Sequence, residues 1–122
     1  MENILIDSDF RLRIADFGFV LLTNKSIHKS LGTKGYMAPE IVKRPKSGFE
    51  GKPADIFSLG VAFFIMLYGI PPFTEASKDD NLYGFFAINY PKMFFKKHAR
   101  TAKQIMFGEI DKSLVQLFSD VF

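Results

Sequence analysis

The segment that most constrains the fold is a long apolar run near the middle of the chain. Residues 56–70, IFSLGVAFFIMLYGI, carry no charged side chain, and they lie between Asp55 and the pair Pro71 and Pro72. A membrane-spanning helix needs about 20 apolar residues, so this run is too short and we expect no membrane span. A shorter helix that is apolar on every face is typical of a buried core. We therefore predict a central core helix over residues 54–68, ended by the prolines.

Composition indicates one modest domain. The chain has 122 residues, of which 48% are hydrophobic and 24% charged, and its net charge of +3 is too small to indicate nucleic-acid binding. It has no cysteine, which excludes disulfides and thiolate metal sites. His28 and His98 have no acidic residue at ligand spacing, so we expect both in loops or at the surface. MENILIDSDF, the N-terminal segment, has no signal-peptide pattern, and we expect an intracellular, cytoplasmic protein.

A small hairpin is predicted ahead of the central helix. NILI at 3–6 and LRIA at 12–15 are short β-rich runs, and DSDF between them has turn chemistry. Residues 18–37 show no sustained period and are rich in Thr, Asn, Ser, Gly and Lys, which indicates an extended loop.

Helices are predicted around the central one. APEIVKR at 38–44 indicates a short helix with proline near its start, and residues 44–53 a surface loop. A further helix is expected over residues 79–89, and Pro91 prevents it from continuing. Residues 110–121 fit an amphipathic helix with one apolar face, formed by Ile110, Leu114, Leu117, Phe118 and Val121. The predicted fold class is α+β, mainly α, with a single domain over 1–122.

Two oxygen-bearing side chains flank the predicted hairpin. Asn3 precedes the first strand and Asp16 follows the second, thirteen positions later. If the strands pair, both side chains can face one site. Magnesium prefers such hard oxygen ligands, and phosphoryl transfer requires metal ions that bridge the phosphates.

Four motifs occur in a fixed order along the chain. They are ENIL at 2–5, ADFG at 15–18, GTKGYMAPE at 32–40 and PADIFSLGVAFFIMLYGIPPF at 53–73. A lone Asp-Phe-Gly is weak evidence for any protein family. Four motifs in this order and at these intervals are a specific signal. On these motifs the chain resembles the eukaryotic serine/threonine protein kinases. The resemblance covers nearly the whole chain and implies part of the kinase C-terminal lobe.

The resemblance implies a role for each matching residue around the nucleotide. Asn3 and Asp16 match the two magnesium ligands, and Asp16 also contacts the ATP phosphates. Leu5 matches the floor of the adenine pocket. Phe17 matches the packing residue that separates active from inactive states, and Gly18 permits the backbone turn.

The second half of the motif set implies a substrate-docking surface. GTKGYMAPE looks like the serine/threonine branch, in which the threonine reaches towards the catalytic aspartate. A plain turn residue at Thr33 and a plain helix cap at Asp55 remain alternatives. The implied docking residues are Gly32, Thr33, Gly35 and Tyr36. The resemblance also implies that Glu40 pairs with an arginine later in the domain. It implies that Asp55 is buried and braces the catalytic loop.

Ser30 is a candidate regulatory phosphosite. The family often carries one three residues before the glycine of Gly-Thr, where this chain has Lys29, with Ser30 next to it. A phosphate adds nearly two negative charges and orders such loops through an arginine.

Two positions depart from the family pattern. Phe57 stands where a tryptophan is usual, and Ile65 where arginine-directed kinases carry a glutamate. Ile65 therefore argues against a strong preference for arginine in the substrate. Together with GIPPF at 69–73, it resembles the calmodulin-dependent kinase group.

Several catalytic parts of the family have no match in the chain. The catalytic base lies five residues before the metal-binding asparagine, ahead of Met1, and neither the Gly-rich loop nor the phosphate-binding lysine occurs. We expect the chain alone to be inactive, and we expect a His-Arg-Asp-like segment upstream and an arginine-bearing segment downstream. The implied reaction transfers the γ-phosphoryl group of ATP, with Mg²⁺, to a protein Ser or Thr. One alternative is a non-catalytic, pseudokinase-like interaction module that binds kinase partners or substrates, and another is a fragment with no separate role.

The segment 91–103, PKMFFKKHARTAK, is basic and aromatic. It fits an acidic partner or an anionic surface, or, more simply, a solvated connection between helices.

Overall fold

The computed structural model describes residues 2–21, 26–98, 101 and 111–122. It begins with the predicted hairpin, formed by strands β1 (Ile4–Ile6) and β2 (Leu12–Ile14). The strands are antiparallel, with Ile4 opposite Ile14. Asp7 holds the turn, because its carboxylate accepts the Arg11 amide at 2.9 Å and pairs with Arg13 at 2.8 Å. The pKa of the Asp7 carboxyl group is lowered, most strongly by the hydrogen bond from the Arg11 amide and then by the Arg13 side chain. The hairpin prediction is confirmed.

The next elements are short. A single 3-10 turn covers Lys34–Tyr36, and helix α1 covers Pro39–Lys43 with its proline in the first turn, as predicted. An isolated bridge joins Ile27 to Phe49, so the predicted loops on either side of α1 touch. Residues 22–25 of the first loop lie outside the described residues.

Helix α2 (Gly51–Tyr68) is the central helix, and it begins earlier than predicted. The expected start near residue 54 is wrong because Pro53 lies inside the first turn, where helix amides have no intrahelical partner and a missing N–H costs little. The helix ends at Gly69, whose φ of 76° is left-handed and favours glycine. The Gly69 amide donates to the Ile65 carbonyl at 2.8 Å.

Only one side of α2 is buried, which corrects the expectation of burial on every face. Its exposed apolar side chains are Ile56, Leu59, Met66 and Leu67. By length and composition α2 is long and apolar enough to cross a membrane, and 39% of it is buried within the structure. That buried side packs against other elements, as in a core helix; its buried residues are Ala54, Phe57, Val61, Ala62, Phe64 and Tyr68.

Three further helices follow: α3 (Tyr83–Ala87), α4 (Pro91–Lys97) and α5 (Lys112–Val121). Two aromatic clusters lie along α2. Phe57 belongs to one, which gathers α1, α3 and the segment after α2. Phe64 belongs to the other, which gathers α4 and α5. Phe122 packs against both clusters and so connects them.

Two helix predictions are only partly right. The helix expected over 79–89 is confined to Tyr83–Ala87, and the Asp80 side chain accepts the amides of Leu82 and Tyr83 at its start. The amphipathic helix near the C-terminus is confirmed as α5, with Phe118 buried, but Leu117 is 44% exposed. Ile110 lies outside the described residues.

The simpler reading of 91–103 as a solvated connection is wrong for its described part. Residues 91–97 form α4, and Phe94 and Phe95 are buried against α2 and α5. Lys92, Lys96 and Lys97 are exposed. Arg100 and Lys103 lie outside the described residues.

His98 is buried, so the surface position predicted as one alternative is wrong, whereas it does lie outside a helix, directly after α4. Only 1% of the residue is exposed, and its ring lies at 4.9 Å from Phe64 and 5.3 Å from Phe94 between centroids. Nε2 lies 3.0 Å from the Pro71 carbonyl oxygen, so in the neutral ring it is the protonated nitrogen and donates to that oxygen. Nδ1 is buried without a partner among the described residues.

Stability is expected to fall in mild acid because of His98. Burial lowers its pKa, and the Pro71 contact opposes that shift only in part. Below about pH 6.5 the unfolded chain therefore binds a proton that the folded chain does not, and the free energy of unfolding falls as pH drops. The slope approaches about 1.4 kcal/mol per pH unit for one proton. Urea denaturation between pH 7.5 and 5 measures it. His98→Gln should flatten this slope, and His28→Gln, at an exposed position, should leave it unchanged.

Candidate functional site

The two predicted magnesium ligands lie side by side. The Ala15 amide donates to the Asn3 carbonyl at 2.8 Å, which extends the hairpin by one pair and brings Asp16 next to Asn3. Asn3 Nδ2 is 3.5 Å from Asp16 Oδ2. Both side chains are exposed, so an incoming ion can reach their oxygens.

The Asp-Phe-Gly backbone makes a sharp turn at this point. Asp16 has a φ of 63°, in the left-handed region that aspartate tolerates better than most residues. Its Oδ1 accepts the Gly18 amide at 3.0 Å, while Oδ2 faces Asn3. A Cβ on Gly18 would lie 3.1 Å from Oδ1, closer than ordinary contact. Glycine therefore lets the amide approach the carboxylate.

The side chains around this pair are open to solvent. Leu5 is 52% exposed and Phe17 68% exposed. Neither belongs to a core cluster. Their implied roles, adenine contact and activation-state packing, therefore remain predictions. Other large apolar side chains of the hairpin and of the segment after it are exposed as well: Ile6, Phe10, Leu12, Ile14, Phe19 and Val20.

The predicted docking residues form one loop that lies against α2. Gly32 has a φ of 125°, which only glycine adopts readily. Thr33 precedes the 3-10 turn that contains Gly35 and Tyr36. The Ser58 hydroxyl, on α2, lies 2.8 Å from the Tyr36 carbonyl and 3.0 Å from the Ala54 carbonyl, and it can donate to either. The loop is thereby held against the central helix.

Asp55 is exposed in the described structure. Only the end of the catalytic loop that it is implied to brace has a match in residues 1–122, so its bracing role stays a prediction. Asp55 lies in the second turn of α2, and the helix N-cap is Glu50, so Asp55 is not a cap. It lines a cavity of about 220 Å³ together with Gly32 and Thr33. The segment after the Asp-Phe-Gly turn reaches the same cavity through Phe19 and Leu21, which brings that segment beside the docking loop.

Glu40 lies in the first turn of α1, close to Tyr83. Burial raises the pKa of the Tyr83 hydroxyl, and the nearby Glu40 carboxylate raises it further. In the described part of the chain, no basic side chain forms an ion pair with Glu40. Its implied arginine partner therefore remains a prediction.

Ser30 is partly buried at a second cavity. That cavity, of about 290 Å³, is also lined by His28 and Arg44. The candidate phosphosite thus shares a cavity with an arginine of this chain.

The donor set at the hairpin fits magnesium as a partial site. Asn3 and Asp16 supply one amide and one carboxylate oxygen, and magnesium keeps its remaining positions for waters and substrate phosphates. Over residues 2–21, 26–98, 101 and 111–122, no cluster of three or more His, Asp or Glu side chains could hold a metal alone. The pair would therefore hold the metal together with a bound nucleotide.

Comparison with known proteins decides the family. The sequence model of the protein kinase domain matches residues 1–121. The chain belongs to the protein kinase family. Similar curated proteins are serine/threonine kinases. CBL-interacting serine/threonine-protein kinase 5 of Arabidopsis thaliana is 31% identical over 93% of this chain and 26% of its own length.

Two further relatives carry the same kinase name. CBL-interacting protein kinase 31 of Oryza sativa subsp. japonica is 35% identical over 70% of the chain and 19% of its own length. CBL-interacting serine/threonine-protein kinase 2 of Arabidopsis thaliana is 38% identical over 62% of the chain and 17% of its own length. The chain thus spans about a sixth to a quarter of the length of these relatives. The likeness to the calmodulin-dependent group stays a prediction.

Sequence reasoning missed the roles of four residues in and around the docking loop. Ser58 carries no local signal, since its acceptor Tyr36 is 22 positions away. The ion pair of Lys34 with Glu75 is likewise long-range. Asp80 could have been identified from the sequence, because an aspartate just before a helix commonly accepts hydrogen bonds from the first amides of that helix.

Proposed function

We propose that this chain is the central part of the C-terminal lobe of a serine/threonine protein kinase. In the complete kinase, the γ-phosphoryl group of ATP is transferred to the hydroxyl of a protein serine or threonine. The observation that carries the proposal is the convergence of Asn3 and Asp16 at 3.5 Å on the hairpin. Their place within the ordered motif set of a protein kinase domain supports it.

Each part of the chain has a defined task in this proposal. Bound magnesium would neutralise charge on the ATP phosphates, and Asn3 and Asp16 would hold it. Leu5 would contact the adenine, and the loop over Gly32–Tyr36 would receive the substrate peptide. The catalytic base and the phosphate-binding lysine have no match in residues 1–122. Transfer therefore requires protein beyond these residues.

The exposed apolar surfaces support the same view. The hairpin and one side of α2 present large apolar side chains to solvent, among them Ile6, Ile14 and Leu59. Contiguous exposed apolar surface commonly marks an interaction site. We propose that the remainder of the kinase domain covers these faces.

Three finer points belong to the same proposal. Ser30, when phosphorylated, would have Arg44 in its own cavity as a charge partner. The exposed Lys92, Lys96 and Lys97 on α4 would suit an acidic partner, whereas the buried Phe94 and Phe95 would not take part. We also propose a cytoplasmic location.

The test is phosphoryl transfer by the complete kinase domain that carries this chain. With Mg-ATP, transfer is expected to peptides whose acceptor is Ser or Thr and not to matched Tyr peptides. Transfer to tyrosine at a comparable rate would contradict the serine/threonine assignment. Capture of kinase partners without any transfer would favour the non-catalytic module instead.

A further inference from the structure

The docking loop carries one charged side chain, Lys34. Its side chain is 65% exposed, and it directly follows Thr33. Lys34 Nζ is 3.5 Å from Glu75 Oε2, and the Glu75 side chain is 33% exposed. An ammonium group has three donors, so one contact with Glu75 leaves the others available to a second carboxylate.

Glu75 is held in place by its own loop. Asp80 Oδ2 accepts the amides of Thr74 and Glu75 at 3.0 and 3.3 Å. Asp80 Oδ1 accepts the amides of Leu82 and Tyr83, both at 2.9 Å. One carboxylate thus binds four amides, and it fixes the backbone at Glu75 to the start of α3.

This loop lies directly against the docking loop. A Cβ built on Gly35 would be 3.7 Å from the Thr74 carbonyl oxygen, so the two backbones lie close enough for a single added methyl group to bring them into contact. On the other side, Ser58 contacts the Tyr36 carbonyl at 2.8 Å. The docking loop is therefore held between α2 and the 74–83 segment, with Lys34 and Glu75 at its solvent edge.

We propose that Lys34 selects protein substrates with an acidic side chain next to the phosphoacceptor, and that Glu75 tunes this selection. The proposal rests on the proposed kinase function, because it concerns the peptide received by that loop. A partly exposed ion pair contributes little, about 0–1 kcal/mol, so a substrate carboxylate can share or replace it. Glu75 also repels an incoming acid, and Asp80 acts as the positioning residue for Glu75.

The experiment measures equilibrium binding of labelled peptides to the 122-residue chain by fluorescence anisotropy. The peptides are identical except for Glu, Gln or Lys on either side of one Thr. The Glu peptide is expected to bind about two- to fivefold more tightly than the Lys peptide, and the difference should shrink at high salt.

Variants with opposite expected effects separate specificity from structure. Lys34→Gln should remove the preference, whereas Glu75→Gln should increase it, because the competing carboxylate is lost. Lys34→Glu should favour the Lys peptide. Lys46→Gln, at an exposed lysine in another loop, and Asp79→Asn, beside the positioning residue, serve as controls that should change nothing.

Two outcomes would overturn the inference: equal affinities for the three peptides, or a preference that survives Lys34→Gln. Both are read from binding alone. A failure of the kinase function itself would appear instead as absent transfer by the complete domain, so the two failures are distinguishable.

Discussion

Asp16→Asn is expected to lower kcat of the complete kinase domain roughly 10²–10³-fold, the cost typical of losing one electrostatic group at the reacting centre. The substitution keeps the size of the side chain but removes the negative charge next to Asn3. Phosphoryl transfer depends mainly on positioning and on neutralising phosphate charge through the metal, so this loss acts on the chemical step.

The measurement compares kcat at saturating peptide and Mg-ATP for the wild type and the variant. Asp9→Asn, at an exposed position in the hairpin turn, is the matched control and should retain activity. If Asp16→Asn left kcat within a factor of two, Asp16 would have no part in holding the metal. Circular dichroism of both variants checks that the fold is retained.

Phe64→Ala is expected to reduce the free energy of unfolding by about 3–5 kcal/mol, the range for truncating a buried phenylalanine. Phe64 is fully buried in the C-terminal half of α2. Its ring meets Tyr68 at 4.5 Å, Phe94 at 5.7 Å and Phe118 at 5.1 Å between centroids. Removing it opens a cavity where α2, α4 and α5 meet.

Urea denaturation followed by circular dichroism measures this change. Since whole domains are stable by only about 5–15 kcal/mol, this loss is a large fraction of the total, and the urea midpoint of the variant is expected to fall markedly. Phe10→Ala is the control, because that phenylalanine is 90% exposed. Equal losses in the two variants would show that the aromatic cluster around Phe64 is not the core.

Local features of the fold were predictable from the sequence. The hairpin follows from two β-rich runs with Asp7 and Asp9 between them, and α1 from Pro39 at its first turn. The meeting of Asn3 with Asp16 follows from the hairpin itself, because strand pairing places their backbones side by side. These features join residues that are close together in the sequence, so local sequence patterns are enough to predict them.

Features that depend on distant packing were not predictable. His98 is indistinguishable in sequence from a surface histidine, and it packs against aromatic rings of α2 and α4 that are distant or unmarked in the sequence pattern. The apolar run of α2 indicated burial but not which side is covered. That depends on where the other helices lie, and it leaves Leu59 and Met66 exposed.

The docking loop likewise combines a feature that the sequence predicts with contacts that it does not. Its sequence motif identified Thr33 and Tyr36 as docking residues. The contacts that hold the loop come from Ser58 and from the segment around Glu75, both far away in sequence. Such contacts require the folded structure to be seen.

The most direct test of the central claim is γ-phosphoryl transfer by the purified 122-residue chain itself. The claim is that these residues supply metal ligands and a docking surface but not the base, the lysine or the Gly-rich loop. With Mg-ATP and Ser/Thr peptides, we predict no transfer above that of the Asp16→Asn chain. Turnover by the wild-type chain that Asp16→Asn abolishes would contradict the account, since residues 1–122 would then contain a complete catalytic site.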